Sequence, residues 1–155
     1  MEKILITELE KLLNGGGAHV NFNEVTKDIP FDLLGERPHG LPYSIWQLVE
    51  HIRIAQWDML EFSKNGLHES PKWPDEYWPT EPAPETEDQW KASLESINKD
   101  IKEFIELISQ SDLYEPIPHG SGQNILREAF QIADHNAYHV AELVVLRRLL
   151  GIWKS

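Results

Sequence analysis

The sequence predicts an all-α protein built as a four-helix bundle, and three observations support this. Four segments repeat apolar residues at the i, i+3, i+4, i+7 spacing of a helix that buries one face. Capping residues and glycine stops bracket those segments. No run of alternating β-branched residues asks for a strand. Helices with wide apolar stripes bury them most economically against one another, and the long loops here mean that neighbours in sequence need not be antiparallel neighbours in space.

The first helix covers residues 2–13, with Ile4, Leu5, Leu9, Leu12 and Leu13 on one face and Asn14 with Gly15, Gly16 and Gly17 as its stop. Residues 18–40 mix Asn, Asp, Pro and Gly and read as a long connection holding one short helical turn. Ser44 and Gln47 form a capping box that opens the second helix. Its stripe is Ile45, Leu48, Ile52, Ala55 and Met59, and Asn65-Gly66 predicts a left-handed stop after Lys64. Residues 67–85 interleave Pro71, Pro74, Pro79, Pro82 and Pro84 with Trp73, Tyr77 and Trp78. Three large aromatics in one span predict that this loop packs onto the body. Thr86 and Gln89 repeat the capping box and open the third helix, which runs to about Gln110 with Trp90, Leu94, Ile97, Ile101, Phe104, Ile105 and Ile108 inward. After a loop over 111–122, Ser121 is the predicted cap of the fourth helix, which Gly151 ends.

A chain of 155 residues makes a single domain, taken here as 1–155. It has 14 Lys and Arg against 26 Asp and Glu, a formal charge of −12. That balance opposes nucleic acid as a partner, because such binding runs on basic residues neutralising phosphates. No apolar run reaches the roughly 20 residues of a membrane span, and Met1-Glu2-Lys3-Ile4-Leu5 lacks the features of a signal peptide. A cytoplasmic protein with no membrane partner is the expectation. With no cysteine, any metal must be held by nitrogen and oxygen ligands.

Seven histidines then matter. His135 and His139 are four apart on the fourth helix, so their side chains lie one above the other, about 40° apart around the axis. The stripe of Ile125, Ala129, Ile132, Val140, Leu143 and Leu146 contains His139 and borders His135. Desolvation makes each neutral imidazole seek a partner, and one shared metal ion satisfies both. A satisfied core histidine is the competing reading, since the pair lacks the internal Glu of H-E-x-x-H proteases. His51 lies at the margin of the second helix's stripe, where it can project into the same space if the second and fourth helices pack together. Glu128 and Glu142 flank the pair on the same side, each a candidate to orient a ligand imidazole or act as a base. His19, His39, His68 and His119 fall in loops and are weaker candidates.

The runs Tyr43-Ser44-Ile45-Trp46-Gln47-Leu48-Val49-Glu50-His51, Ala55-Gln56-Trp57-Asp58, Asp134-His135-Asn136-Ala137-Tyr138-His139-Val140-Ala141-Glu142-Leu143 and Leu146-Arg147 resemble the DinB/YfiT-like superfamily. The similarity extends from Ala18 to Trp153. The resemblance implies a bundle with up-down-down-up connections and a divalent metal ion held by His51, His135 and His139. It also implies homodimers and a small-molecule substrate. That family includes metal-dependent hydrolases and S-transferases or isomerases that use bacillithiol, mycothiol or glutathione.

Two functional classes follow. In the first, a divalent transition metal (Zn, Ni, Fe or Mn) activates water or an external low-molecular-weight thiol for attack on a small electrophile, and Trp73, Tyr77 and Trp78 wall the substrate pocket. In the second, the ion staples helices in a non-catalytic metal-binding or dimerisation module; a structural site of that kind needs a fourth protein ligand. A metal-free bundle with satisfied polar histidines is the third reading.

Overall fold

The computed structural model describes residues 2–154. Among them lie four long helices, α1 (Glu2–Asn14), α3 (Ile45–Lys64), α4 (Glu87–Gln110) and α5 (Ile125–Leu149), and one short helix, α2 (Phe22–Thr26). The all-helical class holds; the only β pairing among the described residues is an isolated antiparallel bridge between Pro116 and Asn124. Among the described residues no helix is long and apolar enough to cross a membrane.

Local chemistry sets most of the boundaries. Ser44 accepts from the Gln47 amide at 3.2 Å while Gln47 Oε1 accepts from the Ser44 amide, so the box closes in both directions. Thr86 likewise accepts from Gln89 N, but the Gln89 side chain reaches one residue further back, to the amide of Glu85. Gly15 and Gly151, at φ 68° and 72°, supply the left-handed residues that end α1 and α5.

Two expected caps differ. Asn65 ends α3 in an extended conformation, and its side chain instead accepts from the Leu67 amide in an Asx turn, which makes a left-handed residue unnecessary. The cap of α5 is Asn124, not Ser121. The bridge of Asn124 to Pro116 and the hydrogen bond from Ile117 N to Gln123 O keep the chain out of the helix past Ser121, and Asn124 then accepts from Arg127 N at 2.9 Å. In the 18–40 connection, α2 is capped reciprocally by Asn21 and Glu24, and two 3-10 turns follow at Phe31–Leu33 and Pro38–Gly40.

α3 packs against α4 and α5, and α1 lies across α4 and α5. Their buried stripes form two apolar clusters. One gathers Leu9, Leu60, Phe104, Ile108, Ala129 and Ile132; the other gathers Ile45, Ile52, Trp90, Ile97, Val140 and Leu143. The clusters change over between Ile52 and Leu60 on α3, and between Ala133 and Val140 on α5. Those two gaps hold Gln56, His135, Asn136 and His139, so a buried polar layer separates two apolar ones. His51 is at its upper edge. Polar groups in such a layer must find partners inside the protein, because water cannot supply them.

Candidate metal centre

His51, on α3, is 2% exposed, and the helix packing brings it against the pair on α5. The three rings sit at centroid separations of 4.4 to 4.9 Å. One ligand atom from each of His51, His135 and His139 lies within 4.8 Å of the others. The sequence placed His139 inside an apolar stripe and His135 and His51 at the edges of theirs, and the fold collects all three at one point.

Two of the three rings have their outward nitrogens occupied. His51 Nδ1 donates to the carbonyl of Tyr77 at 2.9 Å, which leaves Nε2 with its lone pair toward the centre. His139 Nδ1 donates to Glu142 Oε2 at 2.6 Å and is directed in the same way. The second oxygen of Glu142 accepts from the Tyr43 hydroxyl at 2.6 Å. Burial, helped by this carboxylate, pushes the Tyr43 phenol up to about 12, so it stays a donor. Both oxygens of Glu142 are therefore engaged, and the residue orients an imidazole. Glu128 lies two turns earlier on α5, roughly 10 Å along the axis from His135. Its carboxyl is buried, and desolvation raises its pKa.

The donor set fits a divalent ion. Two imidazoles sharing one ion at metal–nitrogen distances of about 2.0–2.1 Å hold their nitrogens roughly 3.0–3.4 Å apart, from octahedral to tetrahedral angles. His51 Nε2 and His135 Nε2 are 3.1 Å apart. The rings are also held in the form that binds metal: burial lowers the pKa of His51, and burial with the neighbouring His139 and His51 lowers that of His135 to about 4.

The Pro/Trp loop does pack onto the body, and it covers this centre. Trp78 stacks on His51 at 4.0 Å with the planes 3° apart, and Tyr43 stacks on the other side of Trp78 at 5.7 Å. Trp73 reaches Tyr77 and the edge of His51 but is 71% exposed. Tyr77 contributes its carbonyl to His51 and its hydroxyl to Asp58 at 2.6 Å, and the other Asp58 oxygen pairs with His68 at 2.7 Å. Gln47 Nε2 donates to the Pro79 carbonyl, and Ser44 Oγ to that of Pro82. The α3 capping box thus also anchors the loop. Of the loop histidines, His68 is tied to Asp58, His119 bonds the Phe62 carbonyl and His19 the Val20 carbonyl. None of the four joins the triad.

With this geometry in hand, the comparison with known families is decisive. The sequence model of the DinB superfamily matches residues 17–143. The chain belongs to the DinB superfamily. The matched segment of this DinB chain takes in His51, His135 and His139 together with Trp78 and Glu142, so the whole centre lies inside it. No curated protein and no solved structure matches the chain significantly.

Sequence reasoning assigned no role to Tyr43, Asp58, Gln56 or Asn136, although all four fall within the runs that carry the family resemblance. Each acts through a partner at least 19 residues away, and the Tyr43–Glu142 contact spans 99.

Proposed function

We propose that this DinB-superfamily chain is a divalent-metal-dependent enzyme in which His51, His135 and His139 hold the ion. The observation that supports the reading most is the convergence of three imidazoles, two buried and one half-buried, with the two buried ones tied by outside acceptors into the tautomer that aims Nε2 inward. Among the described residues the cluster contains three ligand candidates. Three protein ligands leave coordination positions open, as catalytic sites do and structural sites do not. A divalent ion bound there supplies Lewis-acid polarisation and a nucleophile, water or a thiol, that is anionic near neutral pH.

The chain's own residues have defined tasks. Glu142 holds the Nδ1 proton of His139, and Tyr43 holds Glu142. Trp78 covers the face of His51 and keeps bulk water from it. Trp73, Tyr77 and Trp78 wall the space where a small electrophile meets the nucleophile, and Glu128 stays outside this set. With no cysteine in the chain, transfer chemistry requires a thiol from solution. The substrate is a small molecule and not a nucleic acid, in keeping with the charge of −12.

The proposal includes the finer architecture: one domain over 1–155, a four-helix bundle with up-down-down-up connections, in a cytoplasmic homodimer. The outward face of α5 supports the dimer, since Phe130, Val145 and Leu149 are 49%, 50% and 43% exposed, with Leu12 of α1 beside Phe130. Sedimentation equilibrium is expected to give twice the chain mass, and Val145→Glu to return it to the monomer; a monomeric wild type removes this part.

The enzyme reading is tested on tag-free protein offered zinc, nickel, iron and manganese, followed by elemental analysis and a screen of small electrophiles with and without added thiols. We expect one equivalent of metal and metal-dependent turnover. Turnover without thiol assigns a hydrolase; turnover only with thiol assigns an S-transferase. Only trace metal after all four offers sinks the reading.

A further inference from the structure

Of the three imidazoles, His135 alone has no partner for its outward nitrogen: Nδ1 is buried and unbonded. A second buried orphan belongs to the next residue, the carbonyl oxygen Oδ1 of Asn136. A buried donor without an acceptor and a buried acceptor without a donor each cost free energy, and pairing them removes both penalties.

The direction of the Asn136 amide is fixed from outside. Gln56, fully buried on α3, donates from Nε2 to the backbone carbonyl of Ile97 on α4 at 2.8 Å. A carbonyl only accepts, so Gln56 must face it with nitrogen and turn its own oxygen toward α5. That oxygen accepts from Asn136 Nδ2 at 2.8 Å. Asn136 cannot flip without setting oxygen against oxygen, so its Oδ1 is committed as an acceptor.

Two tautomers of His135 are open. If the proton sits on Nε2, it bridges to His51 Nε2 across 3.1 Å, but Nδ1 then becomes a buried lone pair beside another acceptor. If the proton sits on Nδ1, the acceptor for it is the unpaired Oδ1 of Asn136, once the two neighbouring side chains close on each other, and Nε2 joins the lone pairs of His51 and His139.

We propose that the Ile97 carbonyl, Gln56 and Asn136 form an amide relay across α4, α3 and α5 that holds His135 as its Nδ1–H tautomer, which makes Asn136 and Gln56 positioning residues for the third metal ligand. The inference rests on the metal-site reading above, and it completes the pattern in which Tyr77 and Glu142 serve the other two rings. It also explains why the layer between the apolar clusters contains a fully buried glutamine that touches no ligand itself.

The experiment compares wild type with Asn136→Leu, which keeps the volume and removes the acceptor. Zinc affinity is read by competition with a chromophoric chelator, and the imidazole proton by long-range ¹H–¹⁵N spectra of histidine-labelled protein. We expect zinc binding to weaken about 10–100-fold, the usual cost of losing a ligand's hydrogen-bond partner, and the slowly exchanging His135 Nδ1–H signal to disappear while the helical content stays. Zinc affinity within twofold of wild type in a folded Asn136→Leu overturns the proposal. Should that variant fail to fold, Gln56→Leu, which frees Asn136 to rotate, is expected to give the same weakening, and unchanged affinity there overturns it equally. If wild type takes up no zinc, the metal reading falls separately, and the metal-free spectrum decides this one: His135 protonated on Nδ1 supports the relay, and on Nε2 overturns it.

Discussion

His135→Ala and His139→Ala are each expected to lose stoichiometric zinc binding while keeping the far-ultraviolet circular dichroism of the wild type. Two imidazoles remain in each case, on a site whose other contacts are aromatic. The helices survive because their packing comes from the apolar clusters on either side, with Phe104, Ile108 and Ile132 below the layer and Ile52, Val140 and Leu143 above it. The two variants should differ in stability. Removing His135 takes away only the donor that the relay offers Asn136 Oδ1, a bond not closed in the structure, whereas removing His139 breaks a short hydrogen bond, deprives Glu142 Oε2 of its donor and leaves Tyr43 to hold the carboxylate alone. Glu142 is half-buried, so losing this donor costs less than the about 1–3 kcal/mol of a fully buried acceptor, and the melting temperature should still drop further in His139→Ala. Full zinc occupancy in the double variant refutes the ligand assignment, and collapse of the helical signal in both singles shows that the layer carries the fold.

What could be read from the sequence, and what could not, follows the distance over which each signal acts. The start of α3 was legible because Ser44 and Gln47 complete their cap within one turn, and the His135–His139 pair because i and i+4 share a face on any helix. The start of α5 was misplaced by three residues because a pairing of Asn124 with Pro116, outside the helix, keeps the chain non-helical up to Asn124. His51 was legible only as a margin residue. Its near-complete burial comes from Trp78 and Tyr77, delivered by a loop whose docking depends on the Pro79 and Pro82 carbonyls finding Gln47 and Ser44. Gln56 stood in the sequence only as part of a run that carries the family resemblance, with no role of its own. Only the packing of α3 between α4 and α5 turns it into a buried donor to one helix and acceptor from the other.

Metal-free protein is expected to lose stability steeply on acidification, by about 3 kcal/mol from His135 alone between pH 6.5 and pH 4. The sign follows from which state binds protons. His135 has its pKa lowered to about 4 in the folded chain by burial and by its two neighbouring histidines, against an ordinary value of 6.5 when unfolded. As the pH falls through 6.5 the unfolded chain takes up the proton first, so folding is opposed increasingly until the folded ring also protonates near pH 4. Each unit of pKa difference corresponds to about 1.4 kcal/mol. His51, also lowered by burial, adds in the same direction. Carboxylates titrate in the lower part of this window, so the contribution is isolated by comparison. Urea denaturation of chelator-treated protein at pH 7.5 and 4.5 should show a smaller drop in His135→Asn, which has no ring to protonate, than in wild type. Equal drops would mean that the ring is not held neutral. Zinc should steepen the wild-type loss, because an ion that binds only the folded, unprotonated triad stabilises it at pH 7.5 and is displaced by protons on the way down. The same neutrality that costs stability in acid keeps His135 available as a ligand well below the pH at which a solvated imidazole would be charged.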